Sequence, residues 1–118
     1  MTKKELFKKI NFRKLNGLVP VVTQDFKTNK VLMLAFVTRE ALKKTLNDDK
    51  MTYWSRGRKK LWTKGETSGH FQLVKEIWLN CESDSLLIKV KQIGNVCHTG
   101  NKTCFFKKIY EKRKEKRN

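Results

Sequence analysis

At 118 residues the chain has one domain's length, enough to bury about two thirds of its unfolded surface around a single core. Lys and Arg number 28 against 11 Asp and Glu, a net charge of +17, but residues 1–14 and 107–118 carry +5 each, which leaves +7 for the body and weakens the nucleic-acid reading that the charge alone invites. No apolar run approaches a membrane span, and the lysine-rich start has no apolar stretch behind it to make a signal peptide, so a cytoplasmic protein with no membrane partner is expected.

Residues 4–10 predict a short helix presenting Leu6, Phe7 and Ile10 on one side, and Asn16-Gly17 marks a turn. Residues 18–24 read as a strand, 25–30 as a polar turn and 31–37 as an apolar run of strand length, together a hairpin. The second strand is apolar on both faces, which predicts a central position. Thr38 caps a helix with Glu40 in its first turn and Ala41, Leu42, Thr45 and Leu46 at helical spacing, ended by Asn47-Asp48-Asp49. Short β segments follow at 51–54, 61–64, 71–79 and 86–91, with a basic loop at 55–60. The expected fold class is β-rich α+β, a compact sheet or pseudobarrel of short strands with one main helix, in a single domain over residues 1–106. Residues 107–118 read as a basic, flexible, solvated tail with too few apolar side chains to anchor it.

The chemistry gathers around three thiols. In a reducing compartment Cys81, Cys97 and Cys104 are more often metal ligands, nucleophiles or core residues than disulfides. Four protein ligands usually make a structural zinc site, whereas three and a water make a hydrolytic one. Six residues separate Cys97 from Cys104, wider than in common zinc ribbons, so the spacing alone leaves the question open. His98 is a candidate fourth ligand, general base or orienting partner, with a purely structural histidine equally open. If the strand at 71–79 runs on to Asp84, alternation puts Asn80, Glu82 and Asp84 on one face, an oxygen-rich patch suited to Mg²⁺, and Cys81 on the other. If 82–84 is a turn, that geometry fails. Trp54-Ser55-Arg56-Gly57-Arg58 and the stretch from Leu61 through Trp62, Lys64, Glu66 and Ser68 to His70 interleave cations, hydroxyls and aromatics around glycines. Such a loop can wrap phosphates and a purine ring, and it can equally be a basic hairpin with both tryptophans in the core.

Taken in order, Val31-Leu32-Met33-Leu34-Ala35-Phe36, Arg39-Glu40-Ala41-Leu42, Trp54-Ser55-Arg56-x-Arg58, Leu61-Trp62-x-Lys64-Gly65-Glu66-Thr67-Ser68-Gly69-His70 and Cys97-His98-Thr99-Gly100-x-x-x-Cys104 closely resemble the phosphoribosyl-AMP cyclohydrolase family over residues 17–105. The resemblance implies a histidine-biosynthesis enzyme that opens the adenine ring of a small nucleotide, phosphoribosyl-AMP, at the C6–N1 bond. It also implies an intertwined homodimer with zinc shared at the interface, the thiolate matching Cys81 coming from one subunit and those matching Cys97 and Cys104 from the other. Magnesium is implied too, through three aspartates in an Asp-Cys-Asp-x-Asp pattern. Here that stretch reads Asn80-Cys81-Glu82-Ser83-Asp84, which departs at two of the three positions. For this reaction His98, or else His70, is the expected proton shuttle. Arg56, Arg58 and Lys64, helped by Ser68, are the expected phosphate cations, Trp54 and Trp62 border the purine, and Glu66 orients a ribose hydroxyl or a water. A relic with lost or shifted activity and a zinc-stabilised nucleic-acid-binding module are the competing readings.

Overall fold

The computed structural model describes residues 1–113. Thr2 caps the first helix, α1 (Lys3–Lys9), its hydroxyl accepting the Glu5 N–H at 3.1 Å. Two antiparallel strands follow, β1 (Val19–Asp25) and β2 (Val31–Val37). The turn between them is closed by the Asp25 carboxylate, which accepts from the Lys27 N–H, the Thr28 N–H and the Thr28 hydroxyl. Thr38 then caps α2 (Arg39–Asp48), its hydroxyl accepting the Ala41 N–H at 3.1 Å, and Asp49 ends the helix at a left-handed φ of 55°. The remaining strands are β3 (Thr52–Ser55), β4 (Lys60–Thr63), β5 (Gln72–Leu79) and β6 (Leu86–Gln92).

All six strands form one sheet in the order β4-β3-β2-β1-β6-β5, antiparallel throughout except for the β1–β6 pair, which is parallel. The fold is β-rich α+β, as its sequence predicts. The sheet curls without closing into a barrel. Its edges are β4 and β5, and an isolated bridge between Lys50 and Leu73 ties the start of β5 to the approach of β3. The Met51 N–H donates to the Gln72 carbonyl there at 3.0 Å.

Strand β2 is interior to the sheet, with β1 and β3 as neighbours. One of its faces is left open at Leu34, which is 53% exposed, while Leu32, Met33 and Val37 are buried. Helix α2 seats Ala41, Leu42 and Thr45 against the sheet; full burial of a leucine such as Leu42 contributes about 2 kcal/mol. A polar network crosses the core. The Tyr53 hydroxyl donates to Gln72 Oε1 at 2.6 Å and lies 2.7 Å from the Thr23 hydroxyl, while Gln72 Nε2 donates to Gln92 Oε1 at 2.9 Å. Four strands are thereby stitched together by side chains that leave no buried polar atom unpaired among the described residues.

Residues 107–113 have no helix or strand and are exposed; the rest of the predicted basic tail, 114–118, lies outside the described residues. No helix among the described residues is long and apolar enough to cross a membrane.

Candidate active site

The chain leaves β4 at Thr63 and turns through residues 64–70 before β5 begins. Gly65, at φ 89°, makes that turn possible: a Cβ there would fall 2.5 Å from the His70 carbonyl carbon and the Phe71 nitrogen. The close approach this glycine allows is therefore to the chain's own returning peptide. Ser68 accepts the His70 N–H at 3.1 Å, and Gly94 lies so near the His70 ring that a Cβ would meet ring Cδ2 at 2.5 Å. His70 is clamped from two sides. Together with residues 95–98 this loop borders an open cleft of about 400 Å³, whose walls include Trp62, Lys64, Glu66, Ser68, His70 and His98. The structure thus brings together the two histidines and four of the seven substrate-binding candidates.

Cys97 lines this cleft, and Cys104 lies close enough to it for each thiol to shift the other's ionisation. Their loop is held by the Cys97 N–H donating to the Asn101 carbonyl at 3.1 Å and by the Cys104 N–H donating to the Leu32 carbonyl at 2.8 Å, which fastens Cys104 to β2. Hydrogen bonds from Thr99 hold the Cys97 thiol below its ordinary pKa, chiefly that of its hydroxyl at 3.0 Å. Desolvation, and then the neighbouring Cys97, push Cys104 up. Lys64 points its ammonium at the Val96 carbonyl, 5.3 Å from the centre of the Trp62 ring, and burial lowers its pKa against the pull of the two thiols. The lysine expected to bind phosphate lines the cleft and also stands near the sulfurs.

Cys81 is elsewhere. Strand β5 ends at Leu79, and residues 80–85 form the turn into β6, so of the two readings open for Asn80, Glu82 and Asp84 the turn is the one adopted and the alternation along a strand is not. The reason is local: Asn80 Oδ1 accepts the Asp84 and Ser85 N–H groups, each at 2.9 Å, and Ser83 takes a left-handed φ of 60°. Among the described residues no three His, Cys, Asp or Glu side chains converge on one point. The three thiols of a single chain are thus split two and one.

Arg56 and Arg58 lie on the β3–β4 loop, bordering a shallower hollow with Trp54 and with Trp62, which also walls the main cleft. Arg56 packs its guanidinium 4.1 Å from the Phe36 ring centre. Both tryptophans are half-buried, and Trp62 tilts against Tyr53 at 5.8 Å, so each is part core and part rim. Sequence reasoning passed over Thr99, Asn101 and Gly94. The first two were legible only as part of a motif, since their task is to orient Cys97: Asn101 Nδ2 donates to the Thr99 hydroxyl at 2.8 Å.

A family profile described as Phosphoribosyl-AMP cyclohydrolase matches residues 33–106. The Phosphoribosyl-AMP cyclohydrolase of Clostridium beijerinckii is 52% identical over 100 residues, 85% of this chain and 92% of that protein. The chain belongs to the phosphoribosyl-AMP cyclohydrolase family. Another cyclohydrolase relative, from Streptococcus mutans, is 54% identical over 101 residues, 86% of this chain and 93% of that one. A Histidine biosynthesis bifunctional protein HisIE from Thermoanaerobacter pseudethanolicus is 57% identical over 93 residues, which cover 79% of this chain and 43% of the longer protein. The cyclohydrolase match takes in the cleft loop, the β5–β6 turn and both cleft thiols, and leaves out α1 and the segment up to β2.

Proposed function

We propose that this chain adds water across the C6–N1 bond of the adenine ring in phosphoribosyl-AMP, giving the formimino aminoimidazole carboxamide ribonucleotide of histidine biosynthesis. The observation that carries this reading is the placement of Cys97, His98, His70 and Glu66 around one cleft, with Cys104 near Cys97, in a chain of this family. The donor set fits zinc. Two soft thiols lie near each other, one of them held towards thiolate by Thr99, and Cys81 of a second copy would supply the third. Zinc held there supplies the Lewis acidity that makes water nucleophilic near neutral pH.

Assembly as a homodimer is supported by the two-and-one split of the thiols and by exposed apolar side chains. Trp78, Phe105, Ile109 and Tyr110 are 56%, 62%, 96% and 79% exposed, more than a small body ordinarily leaves to water.

In the substrate the N1 ribosyl group localises the bonding of the adenine ring and makes C6 electrophilic. Oxygen adds to C6, the C6–N1 bond breaks, and the protons of water end on the product's nitrogens as a carboxamide and a formamidine. His98 moves the proton. It borders the cleft beside a thiol, whereas His70 is clamped between Gly94 and the Gly65 turn and serves as a wall. Arg56 and Arg58 hold a phosphate at the rim, Ser68 and Lys64 lie within the cleft, and Trp62 offers its face to the purine. The turn at Asn80, Glu82 and Asp84 does not fit magnesium, because its carboxylates are already bonded to Lys14 and no step runs through that ion. This departure also motivates the alternative of a relic that keeps the fold without turnover.

Both readings are separated by following the near-ultraviolet absorbance of phosphoribosyl-AMP mixed with zinc-loaded protein. Saturable conversion, with AMP left unchanged, is expected. No conversion at any enzyme concentration would leave the relic.

A further inference from the structure

We propose that Lys14 replaces the divalent cation at the β5–β6 turn, so that this chain works without magnesium. The turnover half of this inference rests on the proposed function; the binding half does not. Lys14 Nζ donates to Asp84 Oδ2 at 2.5 Å and to Glu82 Oε2 at 3.0 Å, bridging the only two carboxylates of the turn. The other oxygen of Asp84 accepts from Asn80 Nδ2 at 2.6 Å. An aspartate at position 80 would set two carboxylate oxygens against each other at that distance, an arrangement that needs a cation or a shared proton between them. The amide removes the need. Three aspartates holding Mg²⁺ would have a net charge of minus one, and Glu82 and Asp84 holding one ammonium have the same.

The lysine is fixed in place by its backbone. Its segment is tied to the turn by the Asn11 N–H, which donates to the Ser83 carbonyl at 2.7 Å, and is folded back by the Gly17 N–H donating to the Phe12 carbonyl, also at 2.7 Å. The Asp84 side chain is only 12% exposed, against 51% for Lys14 and 68% for Glu82, so water competes least for the Asp84 contact. Mg²⁺ prefers charged oxygens and gives up its water reluctantly, and would have to expel a charge already bonded to both ligands. Cys81 lies between Asn80 and Glu82, so in the proposed dimer the Lys14 ammonium sits at the rim of the neighbouring copy's cleft. It is a positioning residue for the turn that carries Cys81.

The test is calorimetric titration of Mg²⁺ alone into the full zinc-loaded protein, paired with turnover in magnesium-free and magnesium-containing buffer. The parent is expected to give no saturable heat at millimolar Mg²⁺ and equal turnover in both buffers. The triple variant Lys14→Met, Asn80→Asp, Glu82→Asp is expected to gain saturable Mg²⁺ binding and to lose turnover by about tenfold or more when the ion is withheld. Saturable binding by the parent that disappears in Asp84→Asn would overturn the proposal, and so would a triple variant that neither binds nor requires Mg²⁺. If the parent shows no turnover at all, the proposed function fails while the calorimetry still decides the role of Lys14.

Discussion

Thr99 Oγ1 donates a hydrogen bond to Cys97 Sγ at 3.0 Å and receives one from Asn101, so a hydroxyl with no ligand role of its own lowers the pKa of a thiol. A hydrogen bond that favours the thiolate lowers the pH at which the sulfur can hold a metal. Thr99→Val keeps the shape and removes the donor. Its zinc affinity is expected to fall by about tenfold, within the range seen when partners of metal ligands are removed, as read by competition with a chromophoric chelator. In zinc-free protein the pH midpoint for alkylation of Cys97 is expected to rise. Unchanged affinity and midpoint would show that the hydroxyl is incidental.

His98→Ala is expected to keep its zinc and lose roughly 10²–10⁴-fold in turnover, the contribution of a positioned proton shuttle. Metal analysis beside the rate makes the distinction. Parallel loss of zinc and rate would make His98 a ligand, and an unchanged rate would transfer the proton to His70 or to solvent.

Tyr53 is wholly buried, and burial pushes its phenol well above the ordinary range, so it is a neutral donor near neutral pH. Tyr53→Phe leaves Gln72 Oε1 and the Thr23 hydroxyl without this partner. A loss of about 1–3 kcal/mol in stability is expected from urea unfolding, with zinc content unaltered. Equal midpoints would mean that water or a rearranged Gln72 replaces the hydroxyl.

Much of this was legible in the chain because the signals are local. The run at β2 (Val31–Val37) has its predicted bounds, and the Thr38 cap with its helical apolar spacing marks α2 to within a residue or two. The stretch at 80–84 reads as strand or turn because polar, thiol, polar, hydroxyl, polar mimics a period of two. What breaks the strand is the Asn80 side chain capturing two backbone N–H groups, together with a left-handed Ser83. Lys14 was invisible for a different reason: it meets Glu82 and Asp84 across 68 and 70 residues, through a loop that no periodicity announces. The parallel pairing of β1 with β6 is hidden in the same way, since hairpin signals speak only for neighbours in sequence. The charge of Lys64 is plain in the sequence, whereas its contact with the Val96 carbonyl is set by the return of the chain after β6.

The split of the thiols, two at one cleft and one on a distant turn, is tested most directly by mixing Cys81→Ser with Cys104→Ser. Each variant alone is expected to lose zinc and turnover of phosphoribosyl-AMP. When the two are unfolded together and refolded, half of the dimers pair one of each, and a two-fold interface gives every such dimer one intact site, so about a quarter of the parent's zinc and turnover should return. Recovery of both to that level is the predicted result. No recovery from the mixture, or full zinc in either variant alone, would contradict a site shared between copies.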